Sequence, residues 1–234
     1  MIWTSEQIGE ALSLNLETND KFGKVQFNSQ DIEKGDIFIA LKGGARDGHE
    51  FVLDAFARGA GLAIVSQDIK NASATKLIKV EDTFEALQSL AEYKRQNSKA
   101  HFIGVTGSVG KTSTKEIIGL ILNSFGKTFV SRGNFNNHIG VPINLASVAD
   151  DDEFAVIEMG MNKAGEISLL TKQVTPDIAI ITSVAPVHLE FFTSIEKIAD
   201  AKSEIFEGLD INTGIAICFG TTGITNSILS SKML

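Results

Sequence analysis

Cysteine is almost absent from this chain: Cys218 stands alone among 234 residues. A lone cysteine excludes an internal disulfide and fits a reducing compartment. Positive charge is also in deficit. The 21 Lys and Arg against 29 Asp and Glu leave a net charge of −8, which removes any broad attraction to nucleic acid or to anionic membrane. An anionic ligand would have to be held by local groups. No apolar run approaches the ~20 residues that a membrane span requires, and Met1-Ile-Trp-Thr-Ser-Glu-Gln7 lacks the basic-then-apolar order of a secretory signal. Internal repeats and low-complexity stretches are missing too. These absences predict a soluble, cytoplasmic protein, expected to act as a monomer.

What is present is a globular composition, 43% hydrophobic and 21% charged, enough for a core in one or two domains. The most informative stretch is His101-Phe-Ile-Gly-Val-Thr-Gly-Ser-Val-Gly-Lys-Thr-Ser113. An apolar run that reads as a buried strand stops at a glycine-rich turn, Gly110-Lys111-Thr112 closes the turn, and a helical pattern follows. That order suits a phosphate cradle. Backbone N–H groups line the loop, the helix start adds partial positive charge, the lysine reaches the terminal phosphates and the hydroxyl serves Mg²⁺. The strict spacing would put glycine at 105, where valine stands; the glycines fall at 104, 107 and 110. The residues Gly107, Ser108, Val109, Gly110, Lys111, Thr112 and Ser113 are therefore read as a variant nucleotide loop, the alternative being a glycine-rich turn with a surface lysine.

A polar break near residues 97 to 100 predicts two domains, 1–98 and 99–217. The first reads as small α/β, with strands over 36–41, 62–65 and 76–80. Helices are expected over 50–58 and from Asp82, as N-cap with Glu85 behind it, to about Gln96. The second alternates strand and helix: a helix over 112–125, a strand over 128–130, and a short helix over 141–148 with Pro142 in its first turn. A strand over 154–157 ending in Glu158, a helix over 164–173 and a strand over 177–181 follow. Ser194 caps a helix through about Phe206, and the last strand covers 214–217. Such alternation predicts a doubly wound, mostly parallel sheet, with ligands at the carboxyl ends of its strands.

That rule selects the remaining candidates. Glu158 leaves an apolar strand directly, where phosphate-loop enzymes place a Mg²⁺-binding carboxylate; a solvated loop glutamate is the alternative. His188 follows another strand and reads either as a metal-binding imidazole or as an ordinary loop histidine. Asn134-Phe-Asn-Asn-His-Ile-Gly-Val-Pro142 is rich in amides that bind sugar, phosphate or metal, and that also simply favour turns.

Five motifs in order carry a resemblance. Thr106-Gly-Ser-Val-Gly-Lys-Thr-Ser-Thr-Lys-Glu116, Asn134 to Pro142, Ile157-Glu-Met-Gly-Met-Asn162, Ala185-Pro-Val-His-Leu-Glu190 and Ala201-Lys-Ser-Glu-Ile-Phe206 resemble the Mur ligases, the ATP-dependent amide ligases of peptidoglycan precursor synthesis. The run from Asp31 to Phe51 resembles their UDP-binding domain, which argues against kinases, GTPases and the folate-adding relatives. Of the family's branches, the loops look most like the one that joins D-alanyl-D-alanine to UDP-N-acetylmuramoyl-tripeptide; the Thr-Thr-Pro of the tripeptide-forming branch is missing. The resemblance implies an acyl-phosphate reaction with two Mg²⁺ ions. Lys111 would then stabilise phosphate charge, Thr112 and Glu158 hold one ion, and His188 a second. Lys202, otherwise an ordinary exposed helix lysine, matches a family lysine carbamylated by CO₂. Asn136 and Asn137 would line the muramoyl-peptide side, and Ser29, Lys42, Gly43, Asp47, Gly48 and His49 the uridine diphosphate end. Gln30 stands where the family commonly has arginine.

The resemblance covers residues 25 to 217. After Gly214-Ile-Ala-Ile217 the pattern is expected to stop, leaving a truncated or frameshifted product with a non-family tail over 218–234, no C-terminal domain, and either ligase activity or nucleotide binding alone. The loop reading has a direct test. Lys111→Ala is expected to weaken ATP binding at least tenfold, about 1.4 kcal/mol, in a calorimetric titration; unchanged affinity refutes it.

Overall fold

The computed structural model describes residues 1–16, 18–43, 46–186 and 192–218. His188 and the stretch 219–234 lie outside the described residues. The chain divides into two compact units: Met1–Asn97 with Leu145–Ala149, and Ser98–Asn144 with the described residues from Asp150 on. The short segment Leu145–Ala149 belongs by packing to the first unit, although a boundary at 97–100 assigns it to the second.

The first unit opens with strand β1 (Trp3–Thr4), helix α1 (Ser5–Leu12) and β2 (Lys21–Phe22), β1 and β2 pairing antiparallel. Sequence patterning missed this start because two-residue strands carry no periodicity. The helix did carry a signal: Thr4 and Gln7 form a reciprocal capping box. A four-stranded parallel sheet follows, ordered β3 (Val25–Gln26), β4 (Ile37–Ile39), β5 (Leu62–Val65), β6 (Leu77–Lys79). Helix α2 (Val52–Ala57) is entered through a 3-10 turn at Gly48–Phe51, so the helix expected over 50–58 starts later than its pattern suggests. Val52 and Ala55 pack with Phe38, Ala40, Ala63 and Val65 in the core. Helix α3 (Thr83–Asn97) begins where Asp82 Oδ1 accepts the N–H groups of Phe84 and Glu85 at 2.6 and 3.1 Å.

The second unit holds β7 (His101–Thr106), α4 (Lys111–Leu122), β8 (Thr128–Val130), α5 (Gly140–Leu145), β9 (Phe154–Glu158), α6 (Glu166–Val174), β10 (Ile178–Ile181), α7 (Ile195–Ser203) and β11 (Ile215–Cys218). Its five strands are parallel in the order β11-β10-β7-β9-β8. From β7 the chain steps to one side for β8 and β9, then to the other for β10 and β11. Right-handed crossovers therefore place helices on both faces, and the reversal opens a crevice at the carboxyl end of β7. Ile118 and Leu122 of α4 pack on Ile103, Val105 and Val156, which aims the start of α4 at that end.

Three helices stop short of their patterns, the one expected over 112–125 ending at Leu122. The one expected over 141–148 ends at Leu145, where the chain joins the first unit's packing. The one expected to reach Phe206 leaves α-geometry at Ser203 and continues as a 3-10 turn over Glu204–Gly208. Here tertiary bonds win over the helical pattern. The Glu204 carboxylate caps α6 by accepting the N–H groups of Gly165 and Ser168, and the Ile205 carbonyl takes the Thr171 hydroxyl at 2.7 Å.

Candidate functional site

The carboxyl edge of the second unit's sheet is built from four segments. The first is the loop between β7 and α4. Of its three apparent glycines, Gly104 lies inside β7 and is a packing residue: a Cβ there would come 2.7 Å from Met159 Cε. The loop itself needs Gly107, with φ +154°, and Gly110, with φ +87°. Gly110 precedes α4, and no side chain caps that helix, so its first N–H groups are left for an anion. Lys111 folds back, donating to the Gly107 carbonyl at 2.9 Å.

The second segment, just after β10, holds the loop from outside. Ser108 N–H donates to the Ser183 carbonyl at 2.8 Å, and Val109 N–H to Ser183 Oγ at 3.0 Å. The Thr182 hydroxyl donates to the Val109 carbonyl at 2.7 Å, and Ser108 Oγ bonds the backbone of Ala185.

The third is the exit of β9. Glu158 is only 2% exposed, so it is not a solvated loop residue. Its Oε2 accepts the Thr112 hydroxyl at 2.9 Å and its Oε1 the Asn136 amide at 2.7 Å. Lys115 Nζ stands 3.4 Å from Oε2. Lys115, fully buried, was missed as a site residue. The signal was there, since it lies four residues past Lys111 and so on the same helical face.

The fourth is the loop after β8. Lys115 Nζ donates to the Ser131 and Gly133 carbonyls at 2.7 and 2.5 Å. Asn144, fully buried, accepts Arg132 N–H and donates to the Phe135 carbonyl, so it templates the turn that carries Asn136. Asn137 Oδ1 accepts the N–H groups of Ile139 and Gly140 and thereby starts α5; the residue as a whole is exposed.

Lys202 on α7 is 2% exposed, against the expectation of an exposed helix lysine. Burial, and then the charge of Lys111, bring its pKa down from 10.5 to about 8. Glu204, two residues on, bonds α6 and so fixes the pose of this helix end.

As to a metal, the described residues contain no cluster of three or more His, Cys, Asp or Glu that could hold one. Mg²⁺ does not need such a cluster; it takes one or two protein oxygens and completes its shell with phosphate and water. Thr112 Oγ1 and Glu158 Oε2, 2.9 Å apart, are a donor pair of that kind, and the buried Thr106 hydroxyl at the same strand ends meets no partner. The residues present fit a phosphate-bound Mg²⁺.

In the first unit, the segment read as the uridine diphosphate end is clamped from within. Lys42 and Asp47 bridge across the loop. His49, 5% exposed, accepts Ser66 N–H on Nε2 at 2.9 Å, which puts its ring proton on Nδ1, facing Asp47 Oδ1 at 2.5 Å. The His49 backbone N–H, followed by the ring, holds the Asp47 carboxyl below the usual carboxylate range. Gly48 sits against the backbone of Leu41 with no room for a Cβ. Ser29 is buried and hydrogen-bonded to Asp54. Only Lys42 and Gly43 of this set are exposed.

Comparison with known proteins gives consistent matches. The Mur ligase middle domain matches residues 105–231, which includes most of the stretch expected to fall outside the family. The Mur ligase family catalytic domain matches residues 21–95. A UDP-N-acetylmuramoyl-tripeptide–D-alanyl-D-alanine ligase of Rickettsia prowazekii is 50% identical over 230 residues, 98% of this chain and 51% of the relative. That of Escherichia coli is 40% identical, over 92% of this chain and 47% of its own. The chain thus spans about half the length of the curated relatives it matches. Among solved structures, MurF from Acinetobacter baumannii superposes with a TM-score of 0.81 at 36% identity, covering 98% of this chain and 51% of that one. MurF ligase from Thermotoga maritima in complex with ADP gives 0.71 at 33% identity, over 90% and 48%.

Two outcomes are expected from this geometry. In Gly107→Ala the new Cβ would lie 2.0 Å from Thr182 Oγ1 and 3.1 Å from Ser183 N, in a backbone region that disfavours side chains; a cost of about 1–3 kcal/mol, read by urea denaturation, should accompany loss of ATP binding. Lys202 works through pH. With a folded-state pKa of about 8 against 10.5, the unfolded chain binds more protons between those values, so stability rises with pH from about 8 to 10.5. Below 8 the buried ammonium costs up to about 3 kcal/mol. Lys202→Met should therefore raise the melting temperature at pH 7, with the gain shrinking as pH climbs through that window.

Proposed function

Because the chain belongs to the Mur ligase family, we propose that it carries the UDP-binding and ATP-binding parts of a ligase that joins D-alanyl-D-alanine to UDP-N-acetylmuramoyl-tripeptide in the cytoplasm. The observation that carries this reading is the buried Glu158, bonded to Thr112 beneath an uncapped helix start. A bare nucleotide-binding turn has no need of that carboxylate; a site that handles a metal-bound triphosphate does.

Carboxylates acylate amines poorly at neutral pH, so the reaction needs a leaving group. Transfer of the γ-phosphoryl to the tripeptide carboxylate supplies one, as an acyl phosphate. The dipeptide amine then attacks the carbonyl and phosphate departs. The protein's part is to bring anions together and answer their charge. Gly107 to Ser113 wraps the phosphates with backbone N–H groups. Lys111 swings from the Gly107 carbonyl to the β- and γ-phosphates. Bound Mg²⁺, held by Thr112 and Glu158, would supply charge neutralisation on the transferring group, with His188 assigned to a second ion. Asn136 holds Glu158 in place, and Asn137 presents its amide towards the muramoyl-peptide.

Lys202 suits the carbamate role for a chemical reason. Only the free amine reacts with CO₂, and with a pKa of about 8 about a tenth of the molecules present it at pH 7, against well under a thousandth for an ordinary lysine. The carbamate is an anionic oxygen donor able to ligate Mg²⁺. In the first unit, the exposed Lys42 and Gly43 are assigned to the diphosphate, with Asp47, Gly48, His49 and the buried Ser29 shaping their loop.

The test follows phosphate release with ATP, UDP-N-acetylmuramoyl-tripeptide and D-alanyl-D-alanine. Release that needs all three substrates, and falls at least a hundredfold in Glu158→Gln, is the expected result. ATP binding with no release leaves this chain as a nucleotide-binding piece of the family's architecture.

A further inference from the structure

Lys115 has no part in the phosphate contacts assigned above, yet it is fully buried at the centre of the edge. Its ammonium donates to the Ser131 and Gly133 carbonyls, at 2.7 and 2.5 Å, and stands in ion-pair contact with Glu158 Oε2, at 3.4 Å. The exposed Glu116 comes no closer than 3.9 Å. Glu158 Oε2 is also the oxygen that accepts the Thr112 hydroxyl, so the ammonium faces the very atom a divalent ion would take. An isolated carboxylate so deeply buried is very costly, and a buried cation beside it offsets part of that cost. The same pairing works against a second cation, since a dipositive ion on Oε2 would lie within a few ångströms of a fixed positive charge in a poorly screened place.

We propose that Lys115 is the resident counter-ion of Glu158, which offsets the charge of that carboxylate before nucleotide binds, so that the divalent ion enters with the triphosphate and not ahead of it. The incoming phosphates bring the negative charge that lets ion and ammonium coexist. Lys115 is thus a positioning residue that sets the order of loading. The inference rests on the reading of Glu158 and Thr112 as metal-binding side chains.

The experiment titrates Mn²⁺ into the full chain and reads bound ion by electron paramagnetic resonance, without nucleotide and then with a non-hydrolysable ATP analogue. Without nucleotide, the unsubstituted protein should show no site tighter than about 1 mM. Lys115→Met, and Lys115→Gln, which keeps a donor but not the charge, should each bind nucleotide-free Mn²⁺ at least tenfold tighter. A lysine with only a structural role would make these variants bind more weakly or equally, and either result overturns the proposal. Should neither variant fold, the unsubstituted protein still decides: a micromolar nucleotide-free site refutes the counter-ion role while leaving the metal reading intact. Absence of protein-bound Mn²⁺ even with the analogue sinks both.

Discussion

A carboxylate buried at the mouth of a parallel sheet is tolerable only if its surroundings answer its charge, and the ligand edge of the second unit is arranged around that demand by Glu158. Thr112 and Asn136 donate to its two oxygens, Lys115 stands beside it, and its own N–H donates to Ser131 Oγ. Thr112 and Lys115 come from α4, Asn136 and Ser131 from the loop after β8. Meeting one charge therefore fixes the start of α4, the end of β9 and the turn after β8 relative to one another. The phosphate loop then needs no rigidity of its own: its floor is set by this cluster, and its rim by Thr182 and Ser183.

The elements legible in the sequence were those whose signal is local. β5 and β8 fall at their expected residues because short apolar runs between turn residues have one way to be buried. Asp82 and Ser194 cap the helices they announce. Position 104 shows the limit of that legibility. A glycine three residues from the loop looks like part of it, and only the closeness of Met159 reveals a packing role. The early ends of α5 and α7 likewise depend on distant partners, Thr171 among them.

The candidate site was legible as chemistry and not as wiring. Lys111, Thr112 and Glu158 stand out because their residue types match phosphate handling. Lys115 and Asn144 do not stand out, because a buried lysine and a buried asparagine look like surface residues until their acceptors are known. Lys202 is the opposite case, a residue that pattern alone reads as exposed and that the fold buries, which brings its pKa down to about 8. In the first unit, His49 looked like a ligand-binding imidazole, yet both of its nitrogens are engaged by Asp47 and Ser66. A histidine in a glycine-flanked loop is as apt to brace the loop as to serve its ligand.

The bonds from Ser108 and Val109 to residues 182–185 bear on communication within the unit. The cradle's outer wall and the strand exit of β10 share hydrogen bonds, so a shift of either one strains or breaks bonds to the other. Thermodynamic linkage then works in both directions. If phosphate binding reshapes the wall, it biases the β10 exit by some free energy, and anything that seats against that exit returns the same free energy to phosphate affinity. Two chemically distinct ligands could in this way sense each other through three small side chains and a few backbone groups, with no helix or domain having to move.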